Sequence, residues 1–244
     1  MQVRFVGSGD AFGSGGRAQT CIAVTAPGAR VLVDCGATSL TALKAQGLDP
    51  GAVTAVVVSH LHGDHFGGIP FLVLDGQFSR RTATLTVAGP PGTEQRLHRA
   101  METLYPGSTR VERRFALEVV ELSPDGTPHV ADGWTVRGWE VDHASGAPPL
   151  GLSLEVSGRT FAYTGDTAWT PALRDVARGA DLVAAEAYTW ERRVRFHLAH
   201  ADLVEHAGEL EAQRTILTHM SPDMLARLGQ SSYDTATDGL VLDL

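Results

Sequence analysis

His60, His62, Asp64 and His65 stand within six positions of one another. Imidazole and carboxylate are the donors that suit a borderline divalent cation such as zinc. A lone histidine in a loop is ordinarily just a solvated side chain. Four such groups directly behind an apolar run make a metal site a better reading than a polar loop that happens to be rich in histidine. The same arrangement recurs along the chain, because His143, Asp166, Glu186 and His219 each follow an apolar run as well. Two divalent ions at one sheet edge would explain all of these residues together. Metals about 3.5 to 4 Å apart lower the pKa of a shared water toward neutrality and stabilise charge on the attacked centre. A structural zinc fits less well, since such sites are closed and use several cysteines, and only Cys21 and Cys35 are present.

The elements that position these groups follow from the punctuation of the sequence. The β-branched run Val53 to Val58 reads as a strand buried on both faces, and Gly63, Gly67 and Gly68 let the chain turn tightly after it. Strands are expected over Gln2 to Val6, Thr20 to Thr25, Arg30 to Asp34, Thr84 to Ala88, Phe115 to Leu122 and Trp134 to Val141. Leu152 to Val156 and Thr160 to Tyr163 form a hairpin around Ser157-Gly158, and Thr215 to Leu217 is a last strand. Helices are expected over Leu40 to Gln46, Ile69 to Leu74, Glu94 to Leu104 with Thr93 as its cap, and Ala201 to Leu210. Asp34 ends an apolar run, where a carboxylate can cap the next helix or orient a metal ligand. The glycine-rich stretch Gly7 to Gly16 lacks P-loop spacing and reads first as a strand connection. The alternation of strands and helices suggests one layered α/β domain over residues 1–244, with function gathered at strand ends.

The pattern H-x-H-x-D-H within HLHGDHFGG resembles the signature of the metallo-β-lactamase superfamily. Its fuller wording is most similar to the ribonuclease Z branch and that branch's phosphodiesterase relatives. Thr164-Gly165-Asp166-Thr167 and Leu217-Thr218-His219 match the family at those points, and only Phe71 to Glu140 and the tail after Met220 are weakly constrained. The resemblance implies a four-layer αββα sandwich, two mixed β-sheets flanked by helices. It places His60, His62 and His143 on one metal ion, and Asp64, His65 and His219 on a second, with Asp166 bridging. Zn2+ is the default; Mn2+ or Fe2+ would also suit the donor set. The chemistry it implies is attack on a phosphodiester by a metal-bridging hydroxide, with no serine or cysteine nucleophile, and Asp64 counts among the catalytic groups.

His197 lies 22 positions before His219, as the family's late catalytic histidine does, and is the candidate proton donor to the leaving group. Glu186, in Ala185-Glu186-Ala187-Tyr188, resembles the family's acidic box and would orient His197. His200 is the rival donor, and His206 reads as a helix-surface residue. Arg192, Arg193 and Arg195 could grip phosphate oxygens or simply belong to a solvated loop. Asp34 is expected behind the ligands.

The formal charge of −8 and a pI near 5.6 argue against broad nucleic-acid binding. Only 23 positions separate His143 from Asp166, too few for the long protruding arm by which ribonuclease Z enzymes grip tRNA, and Ala147 to Leu152 reads APPLGL. The expected substrate is therefore a small-molecule or nucleotide-type ester, above all a small or activated phosphodiester, with tRNA an unlikely partner. Carboxylic esters, sulfate esters, lactones or thioesters are the alternative substrates, and a catalytically silent metal-binding scaffold is the non-enzymatic one. No apolar run is long enough to span a bilayer and no export signal opens the chain, so a cytoplasmic protein with reduced cysteines is expected, with a homodimer possible by resemblance.

Overall fold

The computed structural model describes residues 1–244. Its first sheet is built from β1 (Gln2–Gly7), β2 (Cys21–Ala26), β3 (Ala29–Val33), β4 (Ala55–Val57), β5 (Leu85–Gly89) and β6 (Leu117–Glu121). The second contains β7 (His129–Ala131), β8 (Trp134–Glu140), β9 (Leu150–Val156), β10 (Arg159–Tyr163), β11 (Leu182–Glu186), β12 (Thr215–Thr218) and β13 (Asp234–Thr235). The last strand, β14 (Val241–Asp243), returns to the first sheet and pairs antiparallel with β1. Strand order is β14-β1-β2-β3-β4-β5-β6 in one sheet and β13-β12-β11-β10-β9-β8-β7 in the other. Each sheet is mixed, antiparallel over its hairpins and parallel from β3 to β6 and from β10 to β13.

Three apolar clusters define the layers. The largest lies between the sheets and joins Phe5, Ile22 and Val57 of the first to Leu152, Phe161 and Ile216 of the second. A second joins the outer face of the first sheet to α1 (Ser39–Ala45), α2 (Gly63–Phe66), α3 (Ile69–Phe78) and α4 (Thr93–Leu104). The third joins the outer face of the second sheet to α5 (Ala172–Ala177), α6 (His200–Glu205) and α7 (Pro222–Leu225). The fold is thus a four-layer αββα sandwich, and strands buried on both faces explain the continuous apolar runs. Helix α4 shows the other pattern: Leu97 and Met101, four residues apart, are buried while the face between is charged. Cys21 and Cys35 are free, buried core residues, and burial pushes the Cys35 thiol up to about 12.

Several boundaries depart from the sequence expectation for local reasons. Gly92, at φ 94°, precedes α4, and Thr93 is its first helical residue, with its hydroxyl bonded to the Pro90 carbonyl at 2.6 Å. Helix α6 stops at Glu205 and continues only as a 3-10 turn over Ala207–Glu209, rather than running to Leu210. Strands β7, β13 and β14 were not legible, because two or three residues are too short to show a period. No helix is long and apolar enough to cross a membrane.

Candidate metal centre and active site

The parallel strands end on one edge, and the polar residues that follow them converge there. Val58, Ser59 and His60 follow β4, Asp34 follows β3, and Thr164-Gly165-Asp166 follows β10. Glu186 ends β11, His219 follows β12, and His143 follows the antiparallel β8. Two groups of side chains result whose ligand atoms lie within 4.8 Å of one another, His60, His62 and His143, and Asp64, His65, Asp166 and His219; a third shares Asp166 and His219 with the second and adds Glu186 and His197. In the first, His143 Nε2 stands 3.1 Å from His62 Nδ1. In the second, His65 Nε2 lies 3.1 Å from Asp64 Oδ2, 3.3 Å from Asp166 Oδ1 and 3.3 Å from His219 Nε2. Asp166 reaches both groups, with Oδ2 at 4.0 Å from His60 Nε2 and 3.5 Å from His219 Nε2.

The surroundings fix which ring nitrogen faces inward. Asp34 can only accept, so the 2.6 Å contact from His65 puts the proton on Nδ1 and leaves Nε2 as the donor atom for a cation. Asp34 also accepts from the Ser59 amide at 2.7 Å and the Ser59 hydroxyl at 2.8 Å. That hydroxyl has thereby spent its proton, so His60 Nδ1 must donate to it across 3.1 Å and again leaves Nε2 inward. His143 Nδ1 likewise donates to the Phe196 carbonyl at 3.0 Å. Of the two readings open for Asp34, the geometry favours the orienting one. Left-handed backbone at Asp34 (φ 58°), Phe196 (φ 68°) and His219 (φ 56°) concentrates strain at this edge, where it aims groups rather than stabilises the chain.

The electrostatics suit a cation. Burial, reinforced by neighbouring histidines, holds His60 and His62 below the ordinary imidazole value, so these two rings are neutral and ready to ligate. In the second group burial disfavours the imidazolium forms, but the carboxylates outweigh it. Asp166, Asp64 and Asp34 hold His65 well above its usual range, and Asp166 with the Asp64 hydrogen bond raises His219 to about 10. Burial likewise disfavours the charged forms of Asp64 and Asp166, but His65 and His219 keep both well below the ordinary carboxylate value. Fully buried carboxylates demand positive charge nearby. The inward atoms His60 Nε2 and Asp166 Oδ1 have no hydrogen-bond partner, which is what a ligand set awaiting its ion leaves exposed to the site. The donor set therefore fits divalent metal.

His197 stands beside the second group. Its Nδ1 donates to Glu186 Oε1 at 2.5 Å, while Glu186 Oε2 accepts from the amides of Thr167 at 2.9 Å and Leu198 at 3.2 Å. Burial disfavours the His197 cation, but the hydrogen bond and charge of Glu186, with Asp166, raise its pKa above the ordinary value. Tyr188, unassigned by sequence reasoning, packs its ring 4.8 Å from that of His197. Its place at the end of the Ala185-Glu186-Ala187-Tyr188 segment was the only signal.

The other candidates are dispersed. His200 does not join the site: its ring stacks on Trp190 with centroids 3.9 Å apart, and its Nε2 meets the Ser231 hydroxyl at 3.2 Å. Arg193 pairs with Asp202 and Glu205, so its charge is largely compensated. Arg192 is exposed and engages Thr189 only through its own carbonyl. Arg195 lies over the Phe196 ring at 4.4 Å. His206 caps the end of α6 and stacks on Trp169 rather than standing free on a helix surface. In the loop Gly7 to Gly16, Asp10 already takes the amides of Phe12 and Ser14, so the loop is no phosphate cradle; the Ser8 carbonyl instead holds the His219 amide at 3.1 Å.

Comparison with known proteins follows the same lines. The description "Beta-lactamase superfamily domain" matches residues 29–220. The chain belongs to the beta-lactamase superfamily. Among curated members, ribonuclease Z of Haloferax volcanii is 27% identical, the alignment covering 100% of this chain and 95% of that protein. The crystal structure of human tRNase Z, short form, superposes with a TM-score of 0.80 at 22% identity, covering 100% of this chain and 99% of that one. A diphosphatase of the PhnP family gives a TM-score of 0.79 at 21% identity, covering 100% and 97%. The superfamily relatives thus lie on the ribonuclease Z and phosphodiesterase branch. They overturn one expectation. The short His143-to-Asp166 segment and the acidic balance argued that tRNA was an unlikely partner, yet ribonuclease Z aligns along this entire chain. Net charge sums the whole surface and says little about one cleft, and the 23 positions hold only the β9–β10 hairpin without altering the shared scaffold.

Proposed function

We propose that this metal-dependent hydrolase cleaves phosphodiesters at a centre of two divalent ions, Zn2+ by preference. His60, His62 and His143 would hold one ion, Asp64, His65 and His219 the other, and Asp166 would touch both. The observation that carries this reading is the buried Asp166 carboxylate, within 4.0 Å of ring nitrogens from both groups. Bound there, the ions would supply an activated water and counter-charge at the attacked phosphorus. The chain's own residues do the rest. Asp34, Ser59 and the Phe196 carbonyl set the imidazole tautomers, and Glu186 holds the proton on His197 Nδ1. His197, kept protonated, gives a proton to the departing oxygen as the P–O bond breaks, while the water's own proton passes to solvent. Small or activated diesters and the 3′ ends of RNA, tRNA precursors included, are the substrates this chemistry can serve.

The test is hydrolysis of bis-p-nitrophenyl phosphate, a tRNA precursor, a carboxylic ester and a sulfate ester by metal-stripped and zinc- or manganese-reloaded protein. Metal-dependent preference for the phosphodiesters is expected. Preference for the carboxylic or sulfate ester would overturn the assignment while leaving the fold and the ligand groups intact.

A further inference from the structure

His197 also lines a cavity of about 660 Å³ whose walls include Asp142, Trp169, Arg195, Phe196 and His206. The volume lies in the range of small-molecule sites. His197, whose ring lies within 4.8 Å of the ligand atoms of Asp166 and His219, is the residue that joins this cavity to the metal edge. Its chemistry is mixed in a specific way. Trp169 and His206 stack face to face with centroids 3.9 Å apart and planes within 3°, so the pair offers an outer aromatic face on which a further ring can continue the stack. Asp142 is exposed and engages the protein only through its backbone, the amide donating to the Thr167 hydroxyl at 3.0 Å. Arg195 is exposed beside Phe196 and, unlike Arg193, pairs with no carboxylate.

A bare anion would meet the unpaired Asp142 carboxylate, and a purely apolar ligand would waste both Asp142 and Arg195. A nucleoside satisfies all three features: a base for the aromatic face, ribose hydroxyls to donate to Asp142, and the adjoining phosphate for Arg195. We propose that this cavity receives the nucleoside on the leaving side of the scissile phosphodiester. The assignment rests on the phosphodiester reading above. His197 stands beside the proposed ligands Asp166 and His219 and also forms part of the cavity wall, so the cavity opens directly off the metal edge.

The test uses the zinc-loaded full chain. Uridine binding is followed by isothermal titration. In parallel, kcat/KM is measured for uridylyl-(3′→5′)-uridine, whose leaving group is a nucleoside, and for the p-nitrophenyl ester of thymidine 5′-phosphate, whose leaving group is a phenol. Trp169→Ala and Asp142→Asn should each weaken uridine binding about ten-fold and lower kcat/KM for the dinucleotide about ten-fold more than for the nitrophenyl ester, chiefly through KM. Trp169 also packs against the helix layer, so Asp142→Asn, which preserves shape, guards against a folding artefact. Equal losses on both substrates, uridine binding indifferent to both variants, or turnover of the nitrophenyl ester without any of the dinucleotide would overturn the subsite. Absence of all diester turnover in the unmodified protein would instead strike the phosphodiester reading, and uridine binding would still decide the cavity.

Discussion

Replacing Glu186 by glutamine isolates the role of one buried charge. The side chain is fully buried, and its two oxygens have different tasks: Oε2 accepts two backbone amides and Oε1 accepts His197 Nδ1. A glutamine of the same size has one acceptor oxygen, and satisfying the Thr167 and Leu198 amides uses it. Its NH2 group then faces His197 Nδ1 and favours that nitrogen as an acceptor, so the proton there is held less firmly. Fold and metal content should survive, because both backbone bonds and all proposed ligands remain. What is lost is a charge-assisted hydrogen bond worth about 1.5–3 kcal/mol, or roughly 10- to 150-fold in rate where His197 must act as acid. The sign in pH follows: Glu186 raises the His197 pKa, the acid form exists below that pKa, and so the variant's alkaline limb should move to lower pH. Steady-state kinetics with a nucleoside and a p-nitrophenol leaving group read this directly, since the phenol scarcely needs protonation. A loss confined to the nucleoside substrate, with unchanged zinc content, is expected. An equal loss on both, or an unmoved alkaline limb, would refute the proton-donor role.

Asp166→Ala should leave at most one weakly held ion per chain, which mass spectrometry or plasma emission would count; two retained ions would reject a shared carboxylate. Asp34→Ala should weaken zinc binding by roughly 10- to 100-fold through loss of the His65 orientation, read by competition with a chromophoric chelator. It should also cost about 1–3 kcal/mol in denaturant unfolding of the metal-free chain, because the buried Ser59 amide loses its acceptor. Filling the Asp64, His65, Asp166 and His219 group should release protons, since His219 titrates near 10 without metal and a ligating imidazole must be neutral. Its zinc affinity should therefore rise from pH 6 to pH 8. Titration calorimetry in buffers of different ionisation enthalpy checks this, and zero proton release would contradict it. His200→Ala should leave the leaving-group dependence of the rate unchanged, its ring being engaged by Trp190 and Ser231.

The parts of the fold legible in the sequence were those written with several consecutive residues. Val56 to Val58 reads as a buried strand because every side chain there is apolar, and the histidines after it stand where the strand ends. Strands β13 and β14 carry too few residues for a pattern, and β14 pairs with β1 from the other end of the chain. The site was legible as a set of ligand-type residues but not as a geometry. Spacing and resemblance ranked His197 above His200, and what neither could convey is that one meets the Glu186 carboxylate and the other an indole face. The left-handed turn at Phe196, which brings its carbonyl to His143, has no sequence signal, since a bulky residue is the last expected at positive φ. The Ser59 relay between Asp34 and His60 was equally hidden, because a serine at a strand end is commonplace.

The central claim is that two ions held by these residues hydrolyse phosphodiesters. It is tested most directly by bis-p-nitrophenyl phosphate turnover measured against bound zinc per chain as metal-stripped protein is reloaded. Negligible rate without metal and a rise that is complete only at two equivalents are expected. A rate indifferent to zinc, or complete at a single equivalent, would contradict it.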